Sequence, residues 1–181
     1  MRSFALLVFF SWLFTLQLVA RSSIEQKSVE SLKKIFGDSV TVSNAIIKLS
    51  GEDKEKIFVA SKQMWQQDSV NVLMCRNHDA FVGAGFVDNV KGKTQFITYL
   101  VAIDTSNAVK DIDVLVYRES YGGEIAYASF RKQFRSKTTH DELKVGKDIK
   151  NISGATISVR AITQGVKKIL ATFDVIRNKL R

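Results

Sequence analysis

The tetrapeptide Ser153-Gly154-Ala155-Thr156 sets two hydroxyls around two small residues, just ahead of an amphipathic stretch. Small residues let a backbone approach a ligand closely, and the first N–H groups of a helix have no partner within it. A phosphate at such a turn meets oriented donors and the positive end of the helix dipole. A hydroxyl in the same turn can go further and become the phosphate's covalent partner. The same residues also suit a plain helix start, because Ser and Thr are favoured there for local hydrogen bonding. Both readings stand on the residues alone.

A second segment, Glu119-Ser120-Tyr121-Gly122-Gly123-Glu124-Ile125, leaves a strand through paired glycines and an aromatic. It reads equally as a simple turn or as part of a site. Other familiar chemistries are missing from the sequence. His78, His140 and Cys75 lack the spacing of zinc ligands, and each reads as a loop or core residue. No phosphate loop ends in Gly-Lys-Ser/Thr, and no Gly-x-Gly-x-x-Gly follows a strand. Gly83-Ala84-Gly85 falls inside a strand and is expected to be a close-packing or bulge site. Asp111 and Asp113 stand two apart on a strand edge and are expected to be solvated.

The elements that must position these segments follow from periodicity. Ser28 to Phe36 predicts a short helix stopped by Gly37, and Val40 to Ile47 a strand. Ser50-Gly51-Glu52-Asp53 resembles a capping box, with helix continuing from Lys54 to Trp65. Val70–Arg76, Ala80–Val87, Phe96–Ile103 and Ile112–Tyr117 are rich in β-branched and aromatic residues and are separated by turn-like breaks. Four strands at such short spacing predict an antiparallel meander. A helix is expected over Phe130–Ser136, with Phe130 and Phe134 inward. The stripe Val159, Ile162, Val166, Ile169, Leu170, Phe173, Ile176 and Leu180 predicts a long C-terminal helix. The fold class is therefore α+β, with helices packed on a largely antiparallel sheet.

The chain has 181 residues, 45% of them hydrophobic and 25% charged, which is enough for a self-sufficient core and argues against disorder. Its start is a separate piece: Arg2 precedes an apolar run from Ala5 to Ala20 that gives way to Arg21-Ser22-Ser23. That pattern is a secretory signal, with Leu18 larger than usual near the exit, so retention as a membrane anchor stays open. The lone Cys75 allows no internal disulfide and reads as a small hydrophobe on a strand. Formal charge is +9, but the basic residues are dispersed and lack the aromatic interleaving of single-strand binders. No nucleic-acid partner is expected.

Ile152-Ser153-Gly154-Ala155-Thr156-Ile157-Ser158 resembles the flavinylation motif of the FMN-binding domain family. That family includes the flavoprotein subunits of sodium-pumping NADH:quinone reductases and of Rnf-type electron-transport complexes. The glycine segment is similar to the family's Glu-Ser/Thr-x-Gly-x-Glu-Ile-like stretch, which precedes a helix with aromatic residues, here Phe130 and Phe134. The likeness spans Val70 to Leu170. It departs at Lys150, three residues before the serine, where the family often has aspartate.

The resemblance implies an FMN-binding-domain-like fold and a division into 1–20 (signal peptide or anchor), 21–69 (N-terminal helix–strand–helix part) and 70–181 (FMN-binding domain). In the family a separate flavin transferase, acting outside the cytoplasm, esterifies the threonine at this position to the FMN phosphate. Thr156 is then the implied attachment residue, with Ser153, Gly154 and Ala155 shaping the phosphate turn. Gly122 and Gly123 give the isoalloxazine or ribityl chain room, and Glu119 and Tyr121 are implied with them as cofactor-binding residues. The implied function is an exported, periplasmic or extracytoplasmic electron-transfer flavoprotein. It works with membrane-associated redox partners and is more a carrier than an enzyme with its own substrate. The alternatives are a flavin-dependent reductase of a small extracytoplasmic substrate and a non-redox secreted or anchored binding module.

Overall fold

A computed structural model describes residues 23–180 of the chain. The apolar run at 5–20, expected as a signal peptide or anchor, lies outside the described residues. Helix α1 (23–36) leads into β1 (Val40–Lys48) and α2 (Gly51–Ser61). Four more strands follow: β2 (Ser69–Asn77), β3 (Ala80–Lys91), β4 (Phe96–Asp104) and β5 (Val109–Val116). A 3-10 turn (Gly123–Ala126), the one-turn α3 (Ala128–Arg131) and a second 3-10 turn (Lys132–Phe134) then lead towards the long α4 (Thr156–Ile176). All neighbouring strands pair antiparallel in the order β1-β2-β3-β4-β5. The architecture is the expected α+β meander: β2 to β5 are joined by short turns, which allow only antiparallel pairing, and β1 pairs antiparallel with β2 across the connection that carries α2.

The side-chain period of two gives the sheet two apolar faces. In β4, Ile97, Tyr99, Val101 and Ile103 join the larger core under α2 and α4, while Leu100 and Ala102 join a smaller core under α1. Helix α1 can lie close because β3 withdraws its side chains there. A Cβ on Gly83 would stand 2.5 Å from the Phe36 ring and from the Ile103 carbonyl oxygen, and one on Gly85 2.7 Å from Leu32. Gly83-Ala84-Gly85 is thus the close-packing site its composition predicts. Cys75 is buried in the same small core, and burial pushes its thiol up to about 12.

On the opposite face α4 buries Val159, Ile162, Val166, Ile169, Leu170, Phe173 and Ile176. Phe173 meets Phe86 of β3 edge-on, with ring centres 6.0 Å apart. The fully buried Tyr99 donates its hydroxyl to Asp88 at 3.2 Å, and Lys168 of α4 pairs with the same carboxylate at 2.7 Å. Burial first, then the neighbouring Asp88 charge, holds the Tyr99 phenol well above its ordinary range.

Three expectations need correction. Helix α2 ends at Ser61, not Trp65, because the Ser61 hydroxyl turns back to Ile57 O and Lys62 takes the left-handed conformation, φ 61°. The helix expected over Phe130–Ser136 is only one turn of α3 followed by 3-10 backbone to Phe134. It stops because Ser136 N donates to Val109 O and Val109 N to Lys137 O, so the edge of β5 captures the chain. Asp111 is buried, not solvated: it pairs with Arg135 at 2.7 Å, while Asp113 takes Arg131 at 3.1 Å and the Ser31 hydroxyl at 2.8 Å. Both arginines come from the segment after the glycine turn, a pairing that strand periodicity cannot reveal.

The closest packing point is Gly165, where a Cβ would lie 2.1 Å from the Tyr99 hydroxyl oxygen and 2.8 Å from its ring carbon. Alanine has the better helix propensity by about 1 kcal/mol, but forcing α4 off Tyr99 costs about 1–3 kcal/mol. Gly165→Ala should therefore lower the midpoint of urea unfolding; an unchanged or raised midpoint would show that α4 has slack at this point.

Candidate functional site

Residues Ile152 to Ala155 form a tight turn in which Ala155 N donates to Ile152 O at 3.0 Å. Gly154 takes φ +81°, a conformation that costs an L side chain about 1–2 kcal/mol, and a Cβ there would meet nothing within 4 Å. The turn is therefore open on its outer side. Ser153 and Gly154 are exposed, Thr156 is half-buried and Ala155 is buried.

Helix α4 starts with Ala155 at the N-cap, and no side chain caps it. The hydroxyls that a plain helix start would use for capping are thus free of that task. Thr156 is the first helical residue, and its Oγ1 accepts a hydrogen bond from Asn151 Nδ2 at 2.9 Å. The threonine oxygen is held in place outside the helix with its own proton still available. Beside it are the first amide N–H groups of a 21-residue helix, the positive end of its dipole.

The glycine segment comes against this turn. Gly122 has φ +85°, and a Cβ on it would lie 2.8 Å from Ala155 Cβ and 2.9 Å from the Tyr117 hydroxyl oxygen. Glycine is required here by backbone conformation and by space together. Tyr117, at the exit of β5, donates its hydroxyl to the Tyr121 carbonyl oxygen, and that hydroxyl lies 3.4 Å from Ser158 Oγ on α4. Two segments more than thirty residues apart are so joined through one phenol. The surface around them is apolar and open: Tyr121 is 84% exposed, Tyr127 62% and Ile157 50%. Gly123 leaves room as well, with no atom nearer than 4.0 Å to a Cβ placed on it.

Glu119 faces elsewhere. Its carboxylate accepts from Thr94 Oγ1 at 2.6 Å, Thr94 N at 2.7 Å and Gln95 N at 3.1 Å, all in the β3–β4 turn. Gly92 makes room for it, since a Cβ there would come within 2.4 Å of Glu119 Oε1. Glu119 thus braces the strand exit and has its partners in the hairpin, not in the α4 turn. The loop before the tetrapeptide is similarly tied down: Asp148 accepts from Leu143 N at 3.0 Å and Lys144 N at 2.6 Å, and Lys150 N donates to Gln133 Oε1 at 2.7 Å. The structure therefore brings together Ser153, Gly154, Ala155, Thr156, Gly122, Gly123 and Tyr121. It adds Tyr117 and Asn151, which sequence reasoning had not assigned. An aromatic closing a strand gives no hint that its hydroxyl will cross to a distant helix.

Residues 92–171 match the family model of the FMN-binding domain. This stretch is an FMN-binding domain. It contains β4, β5, the glycine turn and α4 up to Ala171, so both segments of the site lie within the match. No curated protein matches the chain significantly. The match supports FMN as the group that this stretch binds. The geometry suits that group: an open turn, an uncapped helix start and an ordered hydroxyl for the phosphate, with exposed aromatic surface for the ring system.

Two measurements probe this arrangement. Hydrogen bonds from the Thr94 hydroxyl, then from the Thr94 and Gln95 amides, hold Glu119 down to about 2 from an ordinary 4.5. The stabilising brace is therefore complete above about pH 4.5, erodes below it and is lost as pH falls through about 2. The Thr94 amide resonance should titrate near pH 2 in NMR; an inflection near 4.5 would mean that the brace does not form in solution. Gly122→Ala combines positive-φ strain of about 1–2 kcal/mol with the Ala155 clash. It should destabilise the domain more than Gly123→Ala does, as compared by thermal unfolding.

Proposed function

We propose that the chain is an exported electron carrier whose FMN is esterified through its phosphate to Thr156 Oγ1. One observation carries this reading: a threonine hydroxyl at the start of an uncapped helix, oriented by Asn151 and bordered by an open glycine turn. In the attachment step Thr156 Oγ1 attacks the phosphorus of an FMN unit activated as a phosphoanhydride. The new Oγ1–P bond replaces the anhydride P–O bond, the leaving phosphate takes the electron pair, and the threonine proton passes to solvent. A separate transferase supplies the base and the donor. The helix N–H groups stabilise the phosphoester oxygens, which keep a negative charge after the bond forms.

Bound flavin supplies one- and two-electron redox chemistry, and the protein governs its placement and exposure. Gly122 and Gly123 admit the ribityl chain against the backbone, while Tyr121 and Ile157 offer apolar contact to the ring. The covalent link retains the cofactor outside the cell, where a dissociated flavin is not replaced. The apolar run at 5–20 sends the chain to the compartment where the transferase works, and membrane-associated redox proteins are its partners there.

Co-expression with a flavin transferase tests the attachment. Wild-type protein should gain the mass of FMN less water and fluoresce in a denaturing gel. Thr156→Ala should lose essentially all of that signal, and Thr156→Ser should keep part of it because the nucleophilic oxygen remains. Fluorescence persisting on the alanine variant would place the bond elsewhere.

A further inference from the structure

The sheet is split at one end. Strands β2 and β3 pair from Asn77 opposite Ala80 as far as Leu73 opposite Gly85, and their ladder goes no further. At that register Asn71 would face Val87, Val70 would face Asp88 and Ser69 would face Asn89. Those residues instead line a cleft of about 360 Å³. The outer edges of both strands are complete: β1 pairs with β2 through Ser69, and β4 pairs with β3 through Lys91. Successive residues of a strand turn their N–H and C=O groups to opposite sides. About half of the main-chain groups in Ser69–Val72 and Phe86–Asn89 must therefore point into the cleft, where no strand meets them.

A strut crosses the cleft on the α4 side. Trp65 Nε1 donates to the Ser69 carbonyl oxygen at 3.2 Å, Lys168 lies 5.0 Å from the centre of the Trp65 ring, and its ammonium pairs with Asp88 at 2.7 Å. These contacts lead from β2 to β3 and hold the strand ends apart. The opposite mouth is open. Ile46 is 72% exposed there, and Asn71 and Asn89 are exposed beside it, so solvent enters the slot directly.

The two sides of the slot differ in chemistry. Phe86, Ile169 and the Trp65 ring are apolar on the α4 side, while Asn44, Asn71 and Asn89 stand on the open side. Asp88, the carboxylate in the lining, is already engaged by Lys168 and by the Tyr99 hydroxyl. We propose that the slot is a strand-insertion site for an extended, uncharged segment of a partner protein whose side chains alternate apolar and polar. Because β2 and β3 run in opposite directions, the entering strand lies antiparallel to one edge and parallel to the other, and its main chain supplies the partners that both edges lack. Its period of two sends apolar side chains to the ring side and polar ones to the asparagines. It carries no charge because the slot has none to offer in return. Four residues, about 13 Å of strand, span the unpaired edges. The site shares no residue with the flavin turn and stands independently of the attachment at Thr156.

The test uses the full-length chain in nonionic detergent, with acetyl-Thr-Val-Thr-Val-Thr-amide as the probe and amide hydrogen exchange, read by NMR, as the signal. In the free protein, the amides of Ser69–Val72 and Phe86–Asn89 that turn away from β1 and β4 should exchange faster than those of Leu73–Asn77. The peptide should bind saturably and slow the same amides. A copy N-methylated at both valines loses two main-chain donors and should bind roughly tenfold or more weakly. Asn71→Trp, a change at an exposed position, should block the slot while the ligand-free Tm stays unchanged. Maltotriose is titrated in parallel, because asparagines beside an indole also suit a neutral sugar. The proposal is overturned if the slot amides are already as protected as those of Leu73–Asn77, or if the peptide does not saturate. It is equally overturned if the N-methylated copy binds as tightly as its parent, if Asn71→Trp binds as wild type does, or if maltotriose alone saturates the slot.

Discussion

The tightest point of the site is where Gly122 lies against the Ala155 methyl and the Tyr117 hydroxyl, which would stand 2.8 Å and 2.9 Å from a Cβ placed on the glycine. Neither partner can grow. A side chain on Gly122 would collide with Ala155, and its φ of +85° already disfavours any L residue. The phenol covers the polar groups exposed where two turns meet, taking the Tyr121 carbonyl on one side and facing Ser158 on the other. Ala155 is buried by this contact, and a buried alanine at the N-cap explains why α4 begins without a side-chain cap. The openness of the helix start is thus a consequence of how its neighbour is packed.

The chain that follows the glycines is held just as firmly. Phe130 and Phe134 are buried and meet edge-on with ring centres 5.3 Å apart. Arg131 and Arg135 reach back from the same stretch to the carboxylates of β5. Such pairs are half-shielded, so breaking one strands the other charge, which is why they locate a segment more than they stabilise the whole fold. The segment then closes on the edge of β5 through Val109, Ser136 and Lys137. The segment that follows the glycine turn is consequently fixed by rings, ion pairs and backbone hydrogen bonds together.

Much of this was legible in the residues. Period-two patterning revealed the meander, and the stripe from Val159 to Ile176 falls on the buried face of α4, with Leu180 buried beyond the helix end, because burial on one face imposes those periods directly. The tetrapeptide and the paired glycines were also visible as turns, since small and hydroxyl-bearing residues mark a helix start and a strand exit. What stayed hidden depends on contacts between distant parts of the chain. Nothing local marks Tyr117 as a bridge, Asp111 as buried, or Glu119 as a brace for the β3–β4 turn. The shortening of the helix at Phe130 has the same origin: its amphipathic pattern is real, but hydrogen bonding to a strand edge outweighs propensity over so short a stretch.

Cys75 sits in the core under α1, with its thiol pushed up to about 12 by burial. A sulfur kept protonated and out of contact with solvent is a poor nucleophile, and neither oxidants nor other thiols can easily reach it. Here the only thiol is buried in the small core that also holds Leu32, so the polypeptide offers no exposed sulfur with which to crosslink one copy to another.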